Sequence, residues 1–168
     1  APRFLLILVP DDENDGPNML RRLRAEGWRV AVWSEGEVPT ETTQILLADT
    51  RGEMGLWYRL APITFMASSL LSQGGGRDPY EPAALGSAVL YGPNITRYLE
   101  AYSRFAAQGA ARIVRDAETL AAALGRLIAP DQAASMAAAA WRVATDGAEV
   151  TDQVLDLVQD TLDLMEAG

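Results

Sequence analysis

Residues 72–86 read Ser72-Gln73-Gly74-Gly75-Gly76-Arg77-Asp78-Pro79-Tyr80-Glu81-Pro82-Ala83-Ala84-Leu85-Gly86. The stretch follows a short apolar run, residues 63–66 (Ile-Thr-Phe-Met), with the length and composition of a buried strand. Gly74, Gly75 and Gly76 carry no Cβ, which opens φ > 0 and lets the backbone lie close to a ligand. Asp78 and Pro79 are the residue types of an N-cap and a first helical position, and Glu81 with Pro82 is the alternative pair. In either register Glu81 falls in the first turn of a helix behind a glycine-rich loop. A helix start placed there offers free N–H groups and a positive dipole to an anion. The Glu81 carboxylate suits hydroxyls beside that anion, as on a ribose. Asp78-x-x-Glu81 is equally the spacing of a capping box, and a glycine run is equally an ordinary connecting loop.

Working outward, strands and helices alternate. Residues 4–9 (Phe-Leu-Leu-Ile-Leu-Val) are apolar at every position, the pattern of a strand buried on both faces in a parallel sheet. A polar, acidic loop follows (10–16), then a helix from Pro17 with Met19, Leu20 and Leu23 on one face and Gly27 at its end. Residues 28–33 and 44–48 read as the second and third strands, separated by a polar loop. Residues 49–53 form a loop, and 54–60 a helix with Trp57 and Leu60 on one side. Downstream of the glycine loop come a short helix at 81–85, a strand at 88–91, a helix at 96–108 closed by Gly109, and a strand at 111–114. The rest reads as helix. Asp116 caps one to about Ala129. Pro130 opens another, whose alanine run at 137–140 suits close helix packing, and Gly147 closes it. Val150, Val154, Leu157, Val158, Thr161, Leu162 and Met165 stripe the last.

This alternation predicts an α/β fold, a doubly wound parallel sheet of about six strands with extra C-terminal helices. Ligands of such sheets sit beyond the C-terminal ends of the strands. The loops 10–15, 49–53 and 72–81 all lie there, so they are expected to converge.

The chain has 168 residues, enough for one domain with a sizeable core. Its formal charge of -9 argues against non-specific binding to nucleic acid or to an anionic lipid surface. It has no cysteine and no histidine, which excludes disulfides, thiolate chemistry, a Ser-His-Asp triad and a histidine-ligated zinc within the chain. No apolar run has the length of a membrane span. There is no strand-Gly-x-Gly-x-x-Gly-helix fingerprint and no P-loop.

Residues 48–61 (Ala-Asp-Thr-Arg-Gly-Glu-Met-Gly-Leu-Trp-Tyr-Arg-Leu-Ala) are similar to a segment written Ala-Asp-Thr-Met-Gly-Glu-Leu-Gly in one family. Residues 65–70 (Phe-Met-Ala-Ser-Ser-Leu) resemble its Phe-Met-Gly-Gly-Ser. The glycine loop with Glu81-Pro82-Ala83, then Gly92-Pro93, resembles its Gly-Gly-x-Asn-x-x-Glu-Pro-Ala…Gly-Pro. The family is the 3-deoxy-D-manno-octulosonic acid (Kdo) transferases of lipid A synthesis. The resemblance covers nearly the whole chain and is most specific over 48–93. It implies the C-terminal, nucleotide-sugar-binding half of a two-domain GT-B glycosyltransferase, with residues 1–168 a single domain of a longer protein. It implies CMP-Kdo as donor, inversion at the sugar, no metal or cofactor, and no catalytic residue in this chain. Lipid A precursor and the catalytic base would belong to an N-terminal domain. Membrane association, on the cytoplasmic side of the inner membrane, would come from the rest of the protein.

Carried over by motif, the nucleotide-binding positions are Arg51, Gly52 and Glu53, with Gly75, Gly76, Asp78, Pro79, Tyr80 and Glu81. The family's Arg-His after Val-Pro in the first loop is here Asp11-Asp12, an acidic pair where a phosphate would meet a cation. The family's Asn is here Asp78, and its Met is Arg51, which is expected to restore the lost cation. Gly-Gly-Ser has become Ala67-Ser68-Ser69. The alternatives are a non-catalytic paralogue serving as a binding or scaffold domain, and a GT-B enzyme that uses another nucleotide sugar.

Overall fold

The computed structural model describes residues 4–71 and 75–146. The chain divides into two compact units, Ala1–Trp57 and Tyr58–Gly168.

In the first unit three parallel strands, β1 (Leu6–Leu8), β2 (Val30–Val32) and β3 (Ile45–Leu47), pair in the order β1-β3-β2. Ile45 lies level with both Leu6 and Val30. The central strand is buried throughout. A 3-10 turn, Glu13–Asp15, leads into helix α1 (Gly16–Ala25), which ends at Gly27 in the left-handed region, φ 86°. The core is Ala31, Leu46, Ala48 and Trp57, with Trp33 packed edge-on against Trp57 at 5.0 Å. Burial on both faces does not hold for β1. Phe4, Leu5 and Leu6 are exposed, because β1 is an edge strand of its sheet and only Ile7, Leu8 and Val9 are covered.

In the second unit β4 (Ile63–Met66), β5 (Ala88–Tyr91) and β6 (Ala111–Ile113) are parallel in the order β4-β5-β6. Every side chain of β5 is buried, as a central strand flanked on both sides requires. Among the described residues the six strands expected in one doubly wound sheet thus pair as two three-stranded sheets. Helix α2 (Met54–Leu60) contains the division between the units. It buries Trp57 and Tyr58, whereas Leu60, expected beside Trp57, is exposed. Among the described residues the unit also holds helices α3 (Tyr80–Ala84), α4 (Leu99–Ala107), α5 (Ala117–Leu127) and α6 (Pro130–Thr145).

Tyr102 and Phe105 of α4 are fully buried, each such burial stabilising by about 1.5–3 kcal/mol. The alanine run does what its size suggests. Ala133, Ala139 and Ala140 lie buried on α6, close against α3 and β5. Asp116 caps α5 in a reciprocal box with Thr119. The helix expected at 96–108 is split, a 3-10 turn (Thr96–Tyr98) preceding α4. Gly147 and the stripe from Val150 to Met165 lie outside the described residues.

Candidate functional site

In the first unit the loops after all three strands meet at the C-terminal edge of the sheet, as parallel pairing demands. Asp49, after β3, accepts from Ser34 after β2, from its N–H at 3.0 Å and its hydroxyl at 2.7 Å. Arg51 Nε lies 3.0 Å from Glu13 Oε2, in the loop after β1. Both side chains of that pair are well exposed, 73% and 42%, so its contribution to stability is about 0–1 kcal/mol. Its consequence for ligands is larger, since the Arg51 cation already faces a carboxylate. Gly52 has φ 85°, a conformation that keeps glycine there. Glu53 accepts from Trp33 Nε1 at 3.1 and 3.0 Å and from the Thr50 hydroxyl, so protein donors already hold both its oxygens.

Asp11 and Asp12 are exposed on the same loop. Asp12 accepts from the Asn14 N–H at 2.9 Å and Asn14 Nδ2 at 2.8 Å. Those bonds, the backbone one foremost, hold its carboxyl below the usual range. The acidic pair read from the sequence thus stands at the surface of the loop, and Asp12 is held in its charged form by Asn14.

In the second unit the loops after β4 and β5 are clasped together. Buried Ser69 donates to the Met66 carbonyl and accepts from the Gly92 N–H at 2.6 Å. The Asn94 N–H donates to the Ser69 carbonyl at 2.8 Å, and Asn94 Nδ2 donates to the Leu70 carbonyl at 3.1 Å. A Cβ on Gly92 would stand 2.5 Å from the Ser69 carbonyl oxygen, so only glycine lets the two loops approach. The sequence marks Ser69 only as the last residue of Ala67-Ser68-Ser69 and Gly92-Pro93 only as a motif. The structure makes both parts of one clasp.

The glycine segment rests on this clasp. Gly75 and Gly76 have φ 65° and 75°, and Gly76 lies against the Asn94 carbonyl and Ile95. Asp78 accepts from the Tyr80 N–H at 2.9 Å, but the N-cap is Pro79 and the first helical residue Tyr80, one position beyond the expected Asp78 and Pro79. Pro79 is buried, and Tyr80 is half-buried with its ring edge-on to Phe105 at 5.1 Å. Tyr102 donates its hydroxyl to the Arg77 carbonyl at 2.8 Å. Pro79 and Tyr80 thus anchor the segment inward, while Arg77, Asp78 and Glu81 stay exposed. Helix α3 has five residues, fewer than two turns, and one of its first N–H groups is taken by Asp78. A helix that short brings little macrodipole to an anion, so its start is a weaker anion site than the sequence predicts.

Tyr58, which sequence reading missed, is buried among these groups. Burial, then the Glu81 charge, pushes its phenol up to about 12, opposed by Arg77 and reinforced by Asp78. Tyr102 is pushed up further, by burial first. A phenol whose folded value exceeds its unfolded one stabilises fully below pH 10, and that stabilisation is lost as pH rises from about 10 through 12. Urea unfolding is therefore expected to show stability falling by about 2 kcal/mol for Tyr58 across that window. Tyr58→Phe should flatten the fall. A stability profile flat to pH 12 in the wild type would contradict it.

No protein-family model matches the chain. It is 35% identical over 166 residues to 3-deoxy-D-manno-octulosonic acid transferase of Bordetella pertussis, covering 96% of this chain and 38% of that protein. It is 27% identical over 164 residues to the enzyme of the same name from Haemophilus influenzae, with the same shares. Among solved structures, the C-terminal CMP-Kdo binding domain of WaaA from Acinetobacter baumannii matches with TM-score 0.77 at 28% identity, over 82% of this chain and 72% of that one. The chain is a relative of the Kdo transferases. Its fold is that of the GT-B C-terminal domain, as the sequence led us to expect. It spans a little over a third, 38%, of the length of these Kdo transferase relatives.

Proposed function

We propose that this chain is the donor-binding half of a Kdo transferase, a glycosyltransferase of lipopolysaccharide synthesis. The donor is CMP-Kdo. The observation that carries this is the fold and sequence match to a domain described as binding that nucleotide sugar. The glycine segment supports it. Gly75 and Gly76 hold bare, left-handed backbone beside two exposed carboxylates, Asp78 and Glu81. Glu81 suits the ribose hydroxyls, and Pro79 with Tyr80 fixes the segment to the core. Within the first unit, Glu53 holds the loop that carries Arg51 and Gly52 through Trp33 and Thr50.

Lipid A precursor, the catalytic base and the inverting step belong in this reading to the rest of the protein, so the chain alone transfers no sugar. The donor's anionic groups meet arginine and backbone amides rather than a metal. No helix among the described residues is long and apolar enough to cross a membrane. Attachment to the cytoplasmic face of the inner membrane is accordingly assigned to the rest of the protein.

A second reading, a relative that no longer uses the donor, is favoured by one observation. Asp11 and Asp12 are exposed where the family carries Arg-His, and Arg51 is paired with Glu13. Titration of the chain with CMP-Kdo and CMP against uridine nucleotides separates the two, since the donor reading requires cytidine-selective binding and the second requires none.

A further inference from the structure

The glycine segment carries one exposed arginine of its own, Arg77, and a second, Arg97, is seated on it from the loop after β5. Its Cδ and Nε lie 3.9 Å from the point where a Gly75 side chain would begin. Among the described residues no carboxylate pairs with Arg97, in contrast to Arg51, which Glu13 holds at 3.0 Å. Its backbone is fixed on both sides. Asn94 is held by the clasp to Ser69 and Leu70, Ile95 is buried, and the Tyr98 N–H donates to the Ile95 carbonyl at 2.8 Å in the 3-10 turn that carries Arg97. Tyr98 packs on the core behind it. An exposed guanidinium on an anchored turn, over a glycine with no side chain, is placed to meet an anion lying along the segment. Asp78 and Glu81 stand exposed on that segment, so an anion bound there needs such a cation.

We propose that Arg97 is the residue that grips the anionic groups of the donor, the phosphate and the sugar carboxylate. This gives Arg97 the role that the sequence suggested for Arg51, and it rests on the donor reading given above. A planar guanidinium takes two oxygens of a phosphate or carboxylate at once, which an ammonium does not. Gly75 is kept by its φ of 65°, since a Cβ there would stand 3.9 Å from Arg97, an ordinary contact.

The test is titration of the chain with CMP and with cytidine, for the wild type, Arg97→Gln, Arg97→Lys, Arg51→Met and a control, Arg126→Gln on α5. Arg97→Gln is expected to weaken CMP about ten- to a hundredfold, the loss of a charge-assisted bidentate contact, and to leave cytidine unchanged. Arg97→Lys should recover part of the loss, and the salt dependence of CMP binding should become shallower in Arg97→Gln. Equal CMP affinity in the wild type and Arg97→Gln overturns the inference while leaving the donor reading intact. A larger loss from Arg51→Met than from Arg97→Gln returns the role to Arg51 and also overturns it. A wild-type chain that binds neither CMP nor CMP-Kdo overturns the donor reading and this inference with it.

Discussion

Gly92→Ala is expected to destabilise the second unit by about 3 kcal/mol, at the upper end of what a single overpacked methyl costs. The added Cβ would lie 2.5 Å from the Ser69 carbonyl oxygen and 2.7 Å from both Leu70 N and Leu70 Cα. All three are backbone atoms, so no side chain can swing away. Relief requires the turn after β4 to separate from the loop after β5. That movement stretches the Gly92 N–H bond to the buried Ser69 hydroxyl and the Asn94 bonds to Ser69 and Leu70. A buried N–H left without its partner costs a further ~1–3 kcal/mol. Gly125→Ala is the control. It lies within α5 with nothing within 4 Å of its added methyl, so it should be neutral or stabilise by up to about 1 kcal/mol. Urea midpoints of the two variants decide the matter, and a Gly92→Ala midpoint equal to the wild type would remove the clasp from the account.

The second large effect is expected from Asp11→Arg combined with Asp12→His. The two carboxylates stand exposed in the loop after β1, and Asp12 stays ionised well into acid. Two unit charges a few ångströms apart in a partly solvated site interact by about 1–4 kcal/mol, so if the donor phosphate meets this loop, exchanging repulsion for attraction should raise CMP affinity at least about tenfold. The gain should shrink with added salt, because the groups are exposed. The loss of the Asp12 bond to Asn14 loosens one 3-10 turn, an exposed cap whose absence costs about 1 kcal/mol or less. Unchanged CMP affinity would mean that the loop after β1 takes no part in holding the phosphate.

Much of the fold was legible because its signals are local. The strands at 63–66 and 88–91 and the helix from Pro130 to Thr145 fall at their expected bounds. Apolar runs between turn residues, and a proline at a helix start, specify these without reference to the rest of the chain. The run at 4–9 misleads for the complementary reason. Six apolar residues show that a strand is present, but whether it is central or at an edge depends on which strands pair with it, and β3 inserts between β1 and β2.

The site was legible as a segment and not as an arrangement. Gly75, Gly76, Asp78 and Glu81 stood out by residue type, and Asp78 bonds the Tyr80 N–H although the helix is capped at Pro79, one residue later than its position suggested. Arg51 also stood out, because it replaces an apolar residue of the family. That Glu13 occupies it, while Arg97 sits on Gly75, depends on contacts between loops separated along the chain. Ser69 was invisible for the same reason, since a buried hydroxyl bridging two loops has no spacing that marks it.

The most direct test of the donor-binding reading is a titration of this chain with CMP-Kdo, CMP, UMP and a UDP-sugar, followed by amide shifts. The reading predicts saturable binding of CMP-Kdo and CMP, weaker or no binding of the uridine compounds, and shifts concentrated at Gly75, Gly76, Arg77, Glu81 and Arg97. Binding of a UDP-sugar in preference to CMP-Kdo, or no shift with any of the four, would contradict it.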